Sequence, residues 1–341
     1  MNIYDIAEKC GVSIATVSRV LNNNPNVSAA TRAKILAVME EANYTPSALA
    51  RSLGSGAEAT PAVAPAAPTA KGGVGVLCAD IRDPYYADMI ADLEEQLRQR
   101  QVPLLLRRIG DTPEEEAQSL DEMVKSGVTA IVCIGPMQLE NMTTSPIAHA
   151  AKQVPVILLD GYVEAEGVYC VTCNHRAAVA ELVELLMKRQ RRRILFLYGR
   201  SDHGCREKME GYKEALAAAG IPYDPALVLQ VGNRPEDLNA CIKNLLIKRV
   251  TFDAVIGAED SLALGAQKAL QRTGLNMPVI GFNNSLVARS AIPELTSVDC
   301  RADQQCAHAI TLLDALRGGQ TPQRHIVLST HLVERDTFRN N

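Results

Sequence analysis

The sequence predicts a small all-α head followed by an α/β core of parallel sheets with helices on both faces. The first fifty-three residues carry two short segments of helical period separated by a glycine turn. From Gly73 onward, apolar strand-like runs alternate with segments of helical period, the pattern of a parallel sheet covered by its own crossover helices. A length of 341 residues with 47% hydrophobic content allows about two or three domains and a sizeable core.

In the head, Ile3 to Cys10 predicts a short amphipathic helix with Ile6 and Ala7 inward. Gly11 supplies a tight turn, and the Ser13 hydroxyl can cap a second helix. On that helix Val17, Val20 and Leu21 share one face, while Ile14, Ala15, Ser18 and Arg19 share the other. Such an arrangement predicts contact with double-stranded DNA, although two helices of this period also occur simply packed inside α-helical domains. Ile14 and Ala15 suit thymine methyl groups, and Arg19 can reach guanine O6 and N7 in bidentate fashion, which makes it the leading base reader. Tyr4, Ser13, Thr16, Asn26, Ser28 and Thr31 place hydroxyl or amide groups at helix starts and loops, where phosphate contacts set register. Thr45 can cap a following helix and Pro46 suits its first position, but the segment 46–53 is too short to be a stable isolated helix.

The residues Val12-Ser13, Thr16-Val17-Ser18-Arg19-Val20, Asn26-Val27-Ser28, Asn43-Tyr44-x-Pro46 and Ala50-Arg51-x-Leu53 resemble the DNA-binding head of the LacI/GalR family of bacterial transcriptional regulators. The resemblance implies a head over 1–45 whose second helix enters the major groove, and a hinge helix over 46–53 containing Ala50 and Leu53. It also implies that Leu53 wedges into the minor groove at the centre of a near-palindromic operator. Residues 54–72 shift to Ala, Pro, Thr and Gly with only Glu58 and Lys71 charged, which reads as a disordered linker. The family usually connects hinge and core more briefly; about a dozen residues are added here, which loosens the mechanical link between the two.

In the core, strand runs are predicted at Val74 to Cys78, Pro103 to Leu106, Ala130 to Ile134, Pro155 to Leu159, Ile194 to Tyr198, Ala254 to Gly257 and Pro278 to Phe282. The resemblance continues through Leu159-Asp160-Gly161, Glu210-Gly211-Tyr212, Asp260-x-x-Ala263-Leu264-Gly265, Pro293-x-Leu295-Thr296-Ser297-Val298 and Leu332-Val333-x-Arg335. It implies that 73–341 is a two-lobed, periplasmic-binding-protein-like domain for effector binding and dimerisation.

Ligands in such folds sit beyond the carboxyl ends of strands. The candidates there are Tyr85, Tyr86, Asp160, Cys173, Glu259 and Asn283, with Asn174, Asp260 and Asn284 nearby. For Asp160, Asp260 and Asn284 a capping or turn role competes evenly with a ligand role. Lys208 stands where the family often has a ligand-clamping arginine, Arg206 lies two residues upstream, and Arg234 falls near the place of a stacking aromatic. The effector expected is sugar-like, with a carboxylate or phosphate that Arg206, Lys208 or Arg234 could hold; the competing reading makes these three solvated surface charges.

Other classes are disfavoured. The net charge is −4, and residues 1–56 carry only +1, so DNA affinity must come from geometry, helix ends and dimerisation. No apolar run approaches the roughly twenty residues that span a bilayer, no secretory start is visible, and the nine scattered cysteines suit a reducing cytoplasm. In a strand, Cys170 and Cys173 point to opposite faces, so no metal site is expected. No nucleophile or phosphate-loop motif suggests an enzyme, and no cofactor is expected. The chain ends without leucine heptads, which favours a homodimer over a tetramer. These readings point to a cytoplasmic, ligand-responsive repressor of a carbohydrate-utilisation operon. The alternative is a global catabolite-type regulator with a protein co-regulator, and a solute-binding protein is disfavoured by the head.

Overall fold

The computed structural model describes residues 3–21, 27–41, 72–110, 112–135, 145–199, 202–232 and 234–339. The chain divides into two compact units, 1–67 and 68–341. Asn26, the hinge segment with Ala50 and Leu53, and linker residues 54–71 lie outside the described residues.

Three helices form the first unit: α1 (Ile3–Cys10), α2 (Ile14–Leu21) and α3 (Ala29–Glu41). Ile6, Ala7, Cys10, Val17, Val20, Ile35 and Met39 make its buried core. Gly11, between α1 and α2, has φ +64°, a left-handed conformation that glycine takes without a Cβ penalty. The Lys34 ammonium donates to the Cys10 carbonyl at 3.1 Å, tying α3 to the end of α1.

The second unit contains, in chain order, β1 (Val74–Cys78), α4 (Pro84–Gln99), β2 (Leu104–Arg108), α5 (Pro113–Lys125), β3 (Ala130–Ile134), α6 (Pro146–Ala150), β4 (Val156–Leu159), β5 (Val168–Cys173), α7 (His175–Lys188), β6 (Ile194–Tyr198) and α8 (His203–Ala218). There follow β7 (Val228–Gln230), α9 (Pro235–Ile247), β8 (Ala254–Gly257), α10 (Asp260–Thr273), β9 (Val279–Phe282), α11 (Leu286–Ser290), β10 (Thr296–Asp299), α12 (Ala302–Arg317), β11 (His325–Leu328), β12 (His331–Val333) and α13 (Asp336–Arg339). The strands build two sheets in the orders β11-β5-β4-β3-β1-β2 and β12-β10-β9-β8-β6-β7. All pairings are parallel except β10 with β12.

Strands β1, β3, β4, β5, β8 and β9 are buried along their length, because helices cover both faces of each sheet. The seven predicted runs are all strands, with ends that differ by at most two residues. Strands β7, β10, β11 and β12 are additional, and β5 was expected only through Cys170 and Cys173 and through Asn174 at its end.

Each sheet places its first strand between the second and third, so the helices diverge to opposite faces at β1/β3 and again at β6/β8. Crevices open at such reversals, beyond the strand carboxyl ends. The chain crosses between the sheets three times: after Cys173, between β10 and α12, and between β11 and β12. Among the described residues no helix is long and apolar enough to cross a membrane.

Candidate functional site

Two regions hold the sequence-predicted residues. In the head, Arg19 is exposed on α2 and Thr16 is half-buried. Ser13 Oγ accepts from the Thr16 backbone N–H at 3.2 Å and lies 2.9 Å from Thr16 Oγ1. Ser28 and Thr31 repeat the motif at the start of α3, at 3.2 and 2.8 Å. Both serines therefore cap helices, and any phosphate contact they make is additional to that role. Tyr4, Ile14, Ala15 and Ser18 lie on α1 and α2, and their side chains are outside the described residues.

In the second unit, residues from both sheets gather between the lobes. Asp83 caps α4 by accepting from the Tyr85 N–H at 2.9 Å, which fixes the tyrosine pair just beyond the β1 carboxyl end. Tyr85 is buried, and the Tyr86 ring lies against Gly135 at the end of β3. Burial raises the Tyr86 phenol well above its ordinary pKa, helped by the charges of Glu259 and Asp202 from the other lobe. Glu259 follows β8; burial raises its carboxyl, against the pull of Lys208.

Asp160, just after β4, has φ +58° and accepts from His175 Nε2 at 2.6 Å. Burial disfavours both charges, but each ion outweighs it for the other. His175 is raised to about 9, and Asp160 is held well below the usual carboxylate range by His175 and Lys208. Lys208, on α8, is buried; its ammonium donates to the Ala258 carbonyl at 2.9 Å and sits 4.7 Å over the Phe282 ring. The Cys173 thiol meets the Cys300 carbonyl at 2.9 Å. Gln305 Nε2 donates to that carbonyl at 2.8 Å and to the Tyr85 hydroxyl at 3.2 Å.

Tyr85, Tyr86, Asp160, Cys173, Lys208 and Glu259 thus belong to one neighbourhood. Asn283, with φ +101°, donates its backbone N–H to Val298 at 2.8 Å. Arg206 is exposed in the first turn of α8. Arg234 is elsewhere engaged: it precedes α9, forms a two-point pair with Asp237 at 3.0 Å, and leaves its side chain 75% exposed. Lys208 and Arg234 consequently answer to different partners.

Asp260 is a structural anchor. Its carboxylate accepts from the Ser285 N–H and Oγ at 2.8 Å and from Ser297 Oγ at 2.5 Å, and burial raises its pKa to about 7 against those bonds. Asn284 accepts from Arg335 at 2.5 Å, and Asn174 caps α7.

His175, which the sequence offered only as a neighbour of Cys170 and Cys173 for metal or redox chemistry, and Gln305 were absent from the effector candidates. Both are buried, and His175 Nδ1 and Gln305 Oε1 have no described hydrogen-bond partner. His175 directly follows the Asn174 cap, which is a usable signal; Gln305 sits in a helical run where nothing marks it. Among the described residues no group of three or more His, Cys, Asp or Glu is placed to hold a metal ion. The arrangement can hydrogen-bond a polar ligand between the two sheets.

Residues 71–313 match the family described as periplasmic binding proteins and sugar binding domain of LacI family, and residues 2–47 match bacterial regulatory proteins, lacI family. An HTH-type transcriptional regulator from Lachnoclostridium phytofermentans is 36% identical over 99% of each chain. Catabolite control protein A from Priestia megaterium is 28% identical over 98% of each. The crystal structure of the lac repressor dimer bound to operator and the anti-inducer ONPF has a TM-score of 0.71 at 23% identity, covering 99% of this chain and 98% of that one.

Proposed function

This chain belongs to the LacI family of bacterial regulatory proteins and is a DNA-binding transcriptional regulator, and from that premise we propose that it is a homodimeric, ligand-responsive repressor of a carbohydrate-utilisation operon. The observation that carries the ligand-responsive reading is the cluster of Tyr86, Asp160, His175, Lys208 and Glu259, drawn from both lobes beyond the strand ends.

The effector favoured is a neutral, hydroxyl-rich sugar. Lys208 is hydrogen-bonded to Ala258 and Arg234 is paired with Asp237, whereas Glu259, Asp202 and Asp83 surround Tyr86. An anionic group placed beside Tyr86 would meet these carboxylates. Calorimetry with neutral and phosphorylated sugars tests this: preference for a phosphorylated ligand would refute it. Lobe closure around the ligand then biases the equilibrium between DNA-competent and DNA-incompetent states.

Two heads in one dimer call for two half-sites related by symmetry. Selection from a random duplex library with the full-length protein is expected to yield a near-palindrome that maps beside carbohydrate genes. Arg19→Ala is expected to weaken discrimination at one base position by about 1–3 kcal/mol, roughly tenfold to a hundredfold. A motif at many unlinked promoters would instead mark a global regulator, and no enriched motif would refute sequence-specific reading by the head.

A further inference from the structure

Two of the three crossings between the lobes carry a cysteine at the crossing itself. Cys173 ends β5 in one sheet, immediately before the chain passes into α7; Cys300 follows β10 in the other, immediately before it returns through α12. The Cys173 sulfur lies 2.9 Å from the Cys300 carbonyl oxygen, which puts the two cysteines in direct contact, and the Cys300 thiol faces the Val298 carbonyl at 3.8 Å. Gln305 clamps the pair, with Nε2 at 3.5 Å from Cys173 Sγ and 2.8 Å from the Cys300 carbonyl.

The Cys300 environment differs from that of its fellows. Burial pushes the thiols of Cys78, Cys133, Cys205 and Cys306 up. At Cys300 the neighbouring Cys173 and the nearby His175 imidazolium work against burial and pull the thiol down. Thiolate is the reactive form of cysteine, and Cys300, beside the His175 imidazolium, is assigned as the nucleophile of the pair.

We propose that Cys173 and Cys300 are an oxidation-responsive dithiol whose disulfide fastens two lobe crossings together. This is a second input that does not depend on which sugar, if any, the cleft binds. With a peroxide as oxidant, the Cys300 thiolate attacks one oxygen, the O–O bond breaks, and the departing hydroxide takes a proton from His175 to leave as water. Cys300 is then a sulfenic acid. Cys173 gives up its thiol proton as its sulfur attacks the Cys300 sulfur; the S–O bond breaks and the second oxygen leaves as water with that proton. Two thiols are oxidised by two electrons and one peroxide is reduced to two waters. Both sulfurs are buried, so the oxidant enters when the lobes part.

The test uses the reduced full-length protein, which has nine cysteines. After hydrogen peroxide and quenching, thiol counting in denaturant is expected to fall from nine to seven, non-reducing peptide mapping to give a linked Cys173/Cys300 peptide, and dithiothreitol to restore nine. Cys173→Ser, which keeps a donor beside Cys300 but no resolving thiol, is expected to leave a dimedone-reactive sulfenic acid at Cys300, and Cys300→Ser none at Cys173. Nine thiols retained at peroxide doses that oxidise the urea-unfolded chain, or linkage through any other pair, would overturn the proposal. The wild-type readouts need no variant, so a misfolded substitution cannot mask the answer.

Discussion

Asp160 and Asp260 show how far a residue can be read from its place in the chain. Both are acids beside a strand carboxyl end, and both carried the same even choice between cap and ligand. Asp260 is enclosed by Ser285 and Ser297, while Asp160 faces His175. The deciding partners lie 15 to 37 residues away, beyond the reach of any local pattern. The Asp160–His175 pair has a pH signature. His175 binds its proton more tightly in the folded state, about 9 against 6.5, so its stabilisation is fully present below pH 6.5 and is lost as pH rises through about 9. The depressed Asp160 contributes above the ordinary carboxylate pKa and is lost only in strong acid. His175→Gln keeps a hydrogen bond but cannot charge. Urea unfolding is expected to show wild type more stable than this variant by on the order of 3 kcal/mol at pH 6, with the gap closing toward pH 10. A gap independent of pH would refute the ion pair.

At the scale of elements, α7 and α8 pack so closely that Gly211 touches the backbone of Arg176; a Cβ there would stand 2.4 Å from the Arg176 carbonyl oxygen. Gly211→Ala is expected to cost about 1–3 kcal/mol by forcing the two helices apart. Gly318, after α12, has φ −76° and only ordinary contacts around an added Cβ. Gly318→Ala is expected to stay within about 0.5 kcal/mol of wild type or to stabilise slightly. Urea midpoints for the two variants check both. The central strands were legible because burial on both faces demands unbroken apolar runs such as Val156 to Leu159. Strands β7 and β12 have three residues each and lie at sheet edges, and β10 reads Thr-Ser-Val-Asp. Nothing in such short or polar stretches announces a strand; pairing to a neighbour makes them one.

For the whole molecule, the homodimer reading has a surface to test. Leu286, the first residue of α11, and Ile292, just past its end, are 54% and 94% exposed, and α11 packs against α4 of the other lobe. An apolar side chain so exposed is a natural contact for a second copy. Ile292→Glu is expected to weaken self-association at least tenfold in sedimentation equilibrium without lowering the urea midpoint; unchanged association would place the interface elsewhere. The head and the alternation of strands and helices were determined by the sequence alone, because caps, turns and hydrophobic period are local and act over a few residues. The effector neighbourhood was only partly determined: strand ends marked Tyr85, Tyr86, Asp160 and Glu259, but nothing marked Gln305, and Arg234 took a local partner in Asp237. Tertiary structure decided those, since the three crossings bring residues more than a hundred positions apart, such as Cys173 and Cys300, to one point, and only there do burial and charge set what each can do.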